Sequence, residues 1–498
     1  MSYGTVISTP EGPSTRKFSF VINKGQIVRR GQFIQLRIPD GELIGRVSDV
    51  FKTNRYFTMP ESVKEYESSG NNLGEMFPTE EWEYLVAEAT ALGVFKNNMF
   101  ADSSIPPSPG VKVETPDENI LSRFFGLKDQ GLYLGKMPHH EIDIKLDLTK
   151  FLQKHLAVLA LSGAGKSYLM GVIIEELLKR DPEKGNLAVV VIDPHGEYKS
   201  FAEDGNFINK SRVFSSSDIK LGLSEISPYS FRGFIPDLAP AQERELVRIV
   251  SELKDKNNTF NMTDLMDSIE KNCKPVIKDL LLSHLDRLKR LKIFDSIDDP
   301  SVNSLAVQGE LSVVDLSDTT NMKKKQIIVS RIAKKLFDAR RAGKIPPFVL
   351  IIEEAHQFAP EKMKREEALS RGILTTIARE GRKFGASLCL ISQRPKQLST
   401  TALSQCNTQI ILRITNPYDL KHIEESSEGI TRDVLDRISS LKVGTGLIVG
   451  EAVNFPMFIN VRKRESKESE KSKNLETSAI EFYKTNKQKQ QDAKEFLS

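Results

Sequence analysis

Cysteine is scarce in this 498-residue chain: Cys273, Cys389 and Cys406 are the only three. None forms a CxxC pair and no histidine cluster stands beside them. That excludes a disulfide framework and a structural zinc site, and it points to a reducing compartment. Long apolar runs are missing too, since none reaches the roughly 18 residues that a membrane-spanning helix needs. The opening MSYGTVISTPEGPSTRKF lacks a basic segment followed by an apolar core, so it does not read as a signal peptide. A cytoplasmic protein with no membrane segment is expected. Charge of one sign is nearly absent in excess: 71 Lys and Arg against 67 Asp and Glu leave +4. A polyanionic partner must therefore be held by local patches, not by the field of the whole molecule. There is no internal repeat, helix-turn-helix or finger motif, so any nucleic-acid binding is expected to be independent of sequence.

What is present changes character along the chain. Over residues 1–115, short runs alternate apolar and other residues (Lys17 to Asn23, Gln32 to Ile38, Leu43 to Phe51), with turns at Gly25, Gly31, Asp40 and Gly41. This predicts a small β-barrel or sandwich. The stretch SSIPPSPG, Ser103 to Gly110, reads as a linker. Residues 116–228 and 296–461 carry strongly apolar runs: His155 to Leu161, Leu187 to Ile192, Leu311 to Leu316, Phe348 to Ile352, Ala386 to Ile391 and Gln409 to Ile414. Runs this apolar predict strands covered on both faces, hence a parallel α/β sheet. Between them, residues 229–295 show helical spacing over Ala241 to Lys254, Met262 to Lys271 and Pro275 to Arg290, with Leu246, Ile249, Val250 and Leu253 on one face. A helical insertion is expected there. Residues 462–498 are rich in Lys, Glu, Ser and Gln and read as a solvated tail, with a short helix around residues 479–483.

The first apolar strand runs straight into Ser162-Gly163-Ala164-Gly165-Lys166-Ser167-Tyr168, followed by helical spacing at Leu169, Val172, Ile173, Leu177 and Leu178. A phosphate loop requires this strand, loop and helix. The two glycines let backbone N–H groups turn inward around phosphates, and the helix N-terminus adds positive potential. Lys166 can then reach the β- and γ-phosphates of ATP, and the Ser167 hydroxyl can ligate Mg²⁺. The full pattern has a glycine where this chain has Ala160, a residue that serves loop geometry and not chemistry.

A second apolar strand ends in adjacent acids, Glu353 and Glu354. In an NTPase the first acid lies near the metal and the second polarises the attacking water. Glu353 is accordingly expected in the Mg²⁺ shell, where Asp is more usual, and Glu354 as general base. Gln393, at the tip of a third strand, can bond both a γ-phosphate and a water, which makes it a candidate sensor of nucleotide state; the alternative is a polar turn ahead of Pro395. In AREGRKFG, Arg379 and Arg382 are three apart and face the same way on a helix. Arg382 is favoured as a finger onto a neighbouring subunit's γ-phosphate, with Arg379 second; the alternative is a basic helix end complementing the helix dipole. Asp193 and Glu197 in DPHGEY end another strand, and either suits an outer position around the nucleotide or a subunit boundary; the alternative is a strand-ending turn built on Pro194 and Gly196. Lys323, Lys324 and Lys325, and separately Lys396, are candidate DNA contacts or else solvated surface.

Taken in order, ALSGAGKSYL, VVVIDPHGEY, VLIIEEAHQF, AREGRKFG and LCLISQRPKQLS resemble the HerA family, in the HerA–FtsK branch of RecA-like P-loop ATPases. The resemblance implies a RecA-like core with an N-terminal HAS-barrel and a helical insertion. It further implies a homo-hexameric double-stranded DNA translocase and helicase of archaea, paired with a NurA-type nuclease in double-strand-break resection. In such a family the barrel is the nuclease-docking face and the C-terminal segment braces the neighbouring subunit. Lys166, Ser167, Glu353, Glu354, Gln393 and Arg382 occupy matching motif positions. An export or conjugation-type ATPase at a membrane, and a nucleotide-binding module without turnover, are the competing readings.

Overall fold

A computed structural model describes residues 2–10, 12–54, 57, 60–68, 83–97, 99–256, 259–363, 368–427, 430, 432–469 and 475–496. The chain forms two compact units. One holds Met1–Lys150 and Thr445–Arg462, the other Phe151–Gly444 and Lys463–Ser498.

In the first unit, strands β1 (Ser2–Ile7), β2 (Lys17–Ile22), β3 (Phe33–Ile38), β4 (Gly41–Asn54), β5 (Glu83–Lys96), β6 (Met99–Ala101) and β7 (Lys112–Glu114) form one sheet. Their order is β2-β1-β7-β3-β4-β5-β6, and β2 also pairs with β5. That last ladder closes six of the strands into an antiparallel barrel, which leaves those six with no free edge. Alternation does the sorting. Phe18, Phe20 and Ile22 of β2 and Ile34, Leu36 and Ile38 of β3 all point into the core with Leu43, Val47, Ala87 and Val113. The stretch Ser103 to Gly110 has no regular structure, as a linker should, but β7 follows at once and fills the gap between β1 and β3.

The unit also continues past residue 115. A helix, Glu118–Phe125, starts where Asp117 accepts from the N–H groups of Asn119 and Ile120. Strands β8 (Leu132–Lys136) and β9 (Asp143–Leu146) follow it.

The second unit opens with β10 (Leu156–Leu159), then β11 (Ala188–Asp193), β12 (Ser211–Ser215), the short pair β13 (Leu221–Gly222) and β14 (Phe294–Asp295), β15 (Leu311–Asp315), β16 (Phe348–Ile352), β17 (Ala386–Ser392) and β18 (Thr408–Ile411). Seven of these lie parallel in the order β12-β15-β11-β16-β17-β10-β18. Every residue of β10, β11, β16 and β17 is buried, which is why these segments carry no polar alternation. Of these seven, β12 escaped the sequence reading. It lies at the sheet edge with a half-polar sequence, SRVFS, and so lacks the apolar signature.

Helices Pro240–Lys256, Met262–Asn272 and Pro275–Lys289 make up the insertion. Leu246, Ile249 and Val250 are buried on one face of the first. The second begins at a reciprocal capping box between Asn261 and Asp264.

Two more strands, β19 (Thr445–Gly450) and β20 (Met457–Val461), belong to the first unit. There β20 pairs with β8, and Phe455 stacks on Phe124 with ring centroids 4.3 Å apart.

The tail departs from expectation. Residues 464–469 are docked through their backbone by buried polar groups of the second unit, with Arg464 and Ser466 buried and Glu465, Lys467 and Glu468 exposed. Glu175 accepts from the N–H groups of Glu465 (2.9 Å) and Ser466 (2.7 Å), and Asp204 accepts from Lys467 N–H at 2.6 Å. Beyond them a helix runs Leu475–Phe496, longer than the short helix predicted around residues 479–483.

Candidate nucleotide site

The site forms where parallel strands end. After β10 the chain passes through Ala160 to Gly165 and enters the helix Lys166–Lys179. Gly163 and Gly165 take φ of +75° and +94°, a region that costs other residues strain, so both glycines are required by the turn. The Ala160 N–H donates to the Ser392 carbonyl at the end of β17, and Leu161 N–H to Arg413, which anchors the loop to the strands on either side. Ala160 is fully buried, and the loop closes normally around its methyl group.

His155 sets the start of this strand. Its Nε2–H donates to the Ala378 carbonyl and its Nδ1 accepts from Leu388 N–H, both at 2.9 Å. Burial pushes its pKa down to about 4, so the imidazole is neutral, as these two bonds require.

Lys166 is buried, and its Nζ donates to Glu353 Oε1 at 2.5 Å and to Glu354 Oε1 at 3.4 Å. Burial disfavours the ammonium, but the combined attraction of Glu353, Glu354 and Glu197 outweighs it and the pKa lies above that of an ordinary lysine. Glu353, fully buried at the end of β16, also accepts from the Tyr198 hydroxyl at 3.2 Å. Burial pushes its carboxyl up to about 7, against the pull of Lys166.

Glu354 adopts φ +50°, rare for a residue with a side chain. Strain of this kind is tolerated where the surroundings fix it, and it recurs at functional sites. Its Oε1 accepts from Gln393 Nε2 as well as from Lys166. Its Oε2 is buried and has no hydrogen-bond partner among the described residues. His356 Nδ1 lies 3.3 Å from it, and burial holds that imidazole below its usual pKa. A carboxylate oxygen left this way inside a protein has unused acceptor capacity.

Lys166, Ser167, Glu353, Glu354 and Gln393 are therefore gathered beyond the C-terminal ends of the interior strands β10, β16 and β17. Ser162 and Gly163 are exposed on the loop and Ala164 is buried beneath it. Tyr168, expected among the nucleotide-binding residues, instead turns its hydroxyl to the C-terminal segment, where it accepts from Arg464 N–H at 2.7 Å. Arg379 and Arg382 are exposed and lie before β17, whereas Gln393 follows it. The seven-residue strand between them spans roughly 20 Å, so neither arginine joins this cluster within the chain. Lys325 is mostly buried and donates to the Pro194 carbonyl at 3.3 Å, which withdraws it from the proposed DNA patch. Lys323 and Lys396 remain exposed, Lys396 over the Tyr418 ring at 4.5 Å.

The sequence reading gave Glu197 only a loose outer role. Its Oε2 accepts the hydrogen bond of the Ser167 hydroxyl. Among the described residues no group of three or more His, Cys, Asp or Glu is arranged to hold a metal by itself. The donors at hand are hard oxygens, one hydroxyl with carboxylates behind it. That set fits magnesium, which keeps several waters and shares phosphate oxygens.

A family model described as "Helicase HerA, central domain" matches residues 132–336. The DNA double-strand break repair helicase HerA of Saccharolobus solfataricus is 30% identical over 401 residues, covering 74% of this chain and 76% of that protein. Its counterpart in Pyrococcus furiosus is 28% identical over 90% of both chains. Among solved structures, VirB4 of Thermoanaerobacter pseudethanolicus matches with a TM-score of 0.52 at 17% identity, covering 68% of this chain and 98% of that one. The plasmid coupling protein TrwB bound to an ATP analogue gives 0.50 at 14% identity, over 72% and 95%. These two likenesses concern the fold alone, and the relatives carry the assignment further: the chain belongs to the HerA helicase family.

Proposed function

We propose that this protein is an ATP-driven motor that moves along double-stranded DNA without regard to sequence. It works as a homo-hexameric ring in the cytoplasm, with a NurA-type or other break-repair nuclease complex, in resecting DNA ends. The observation that carries the reading is the contact of Lys166 with both Glu353 and Glu354, with Gln393 on the second acid. A pure nucleotide-binding module has no use for a second buried acid held against the same lysine.

The residues then divide the work. Backbone N–H groups of Ser162 to Ser167 hold the phosphates, with the helix N-terminus behind them. Bound Mg²⁺ would neutralise charge on the β- and γ-oxygens of ATP. Ser167 would be its protein ligand, and Glu353 would face it through water. As Lys166 turns to the phosphates it gives up its two carboxylates, and Glu354 is left to accept a proton from the attacking water. Gln393, hydrogen-bonded to Glu354, reports that change to the end of β17.

ATP hydrolysis measured with and without linear duplex DNA tests this. Stimulation by DNA, lost in Lys166→Ala, is expected. Robust turnover indifferent to DNA would favour an export-type ATPase, and no turnover would leave only a binding module. No helix among the described residues is long and apolar enough to cross a membrane.

A further inference from the structure

Glu197 has no part in the roles just described, yet the fold fixes it from two sides. Below it, the fully buried Asp193 carboxylate accepts from the N–H groups of His195 (3.2 Å), Gly196 (2.8 Å) and Tyr198 (2.9 Å). These three bonds shape the turn that projects Glu197. Tyr198, also fully buried, ties the same turn to Glu353.

Above it lies the C-terminal segment. Ser469 Oγ donates to the Glu197 carbonyl at 2.6 Å, and Ser200 Oγ donates to the Lys467 carbonyl at 2.8 Å. The segment is itself seated on the phosphate-loop helix, where Glu175 accepts from Ser466 N–H and Oγ, both at 2.7 Å. The outcome is one carboxylate delivered to the Ser167 hydroxyl, separate from the two acids that hold Lys166.

We infer that Glu197 is a positioning residue that prepares Ser167 to ligate the divalent cation, an inference that rests on the ATPase reading above. A serine hydroxyl has one proton and two lone pairs. Donating the proton to Glu197 turns the lone pairs away from the carboxylate and toward the phosphate loop. The negative charge behind the hydroxyl also makes its oxygen a better donor to a hard cation. Partners of this kind, one step removed from the metal, change its affinity by about 10–100-fold when altered.

The test uses the full chain as wild type, Glu197→Gln and Ser469→Ala. Mn²⁺ stands in for Mg²⁺, and its binding with a non-hydrolysable ATP analogue is followed by electron paramagnetic resonance. Binding of a fluorescent ATP analogue in EDTA is measured beside it. Glu197→Gln keeps the shape of the side chain and removes its charge. It is expected to weaken Mn²⁺ binding about tenfold while leaving metal-free nucleotide binding unchanged. Hydrolysis in this variant should recover at high Mg²⁺, and Ser469→Ala should shift Mn²⁺ binding the same way by less.

Equal Mn²⁺ affinity in Glu197→Gln and wild type overturns the inference. So does a matching loss of metal-free nucleotide binding, which would make Glu197 a general support of the loop. A wild type that binds neither nucleotide nor Mn²⁺ refutes the ATPase reading itself, a result that the other two outcomes cannot imitate.

Discussion

Glu354→Gln is expected to bind ATP as wild type does and to hydrolyse it about 10²–10⁴-fold more slowly, the usual contribution of a positioned general base. The substitution keeps the volume and the contacts to Gln393 and Lys166 that pass through Oε1. It replaces the buried oxygen that has no hydrogen-bond partner with a group that cannot take a proton. The left-handed backbone at this position is a property of the turn after β16 and is unchanged by the swap. Single-turnover hydrolysis and nucleotide binding, measured on the same preparation, separate the two effects. Turnover within a few-fold of wild type would remove Glu354 from the chemistry.

The second large effect concerns Arg382. The strand between it and Gln393 spans roughly 20 Å, so it cannot serve the nucleotide bound by its own chain. A trans-acting finger typically contributes about 10³–10⁵ in rate. Arg382→Ala alone should therefore lose at least about 10³-fold, as should Lys166→Ala alone. Mixing the two variants should restore hydrolysis, because each Arg382→Ala chain keeps its phosphate loop and can receive the arginine of a Lys166→Ala neighbour. No recovery on mixing would contradict action between chains. Full activity of Arg382→Ala by itself would pass the role to Arg379, which is also exposed.

The parts of the fold readable in the sequence share a physical cause. The strands of the parallel sheet are buried on both faces, so their composition alone marks them, and Phe348–Ile352 was bounded to the residue. The turn from β10 into the helix Lys166–Lys179 and the paired acids after β16 were legible because glycines and adjacent acids directly follow apolar strands. What escaped depends on contacts between distant positions. The β12 edge strand has no composition to announce it. Barrel strand β7 is three residues after a proline-rich stretch, and only its partners define it.

The docking of residues 464–469 is the clearest case. Glu175 and Ser466 are 291 positions apart, and a charged, serine-rich composition reads as solvated until buried acceptors are found for it. The same applies to Glu197, whose meaning comes from Ser167, and to Tyr168, whose place in the nucleotide motif hid its bond to Arg464. Lys325 shows the opposite error. A run of three lysines looks like a phosphate grip, but the third is turned inward by the helix Met322–Arg341.

Movement along duplex DNA is measured by displacement of a triplex-forming third strand from a linear duplex. With ATP and Mg²⁺, the wild type is expected to release the third strand in a time that lengthens with the duplex to be crossed, and Lys166→Ala is expected to release none. DNA binding with ATP turnover but no release would contradict the account and leave an ATPase that grips DNA without travelling along it.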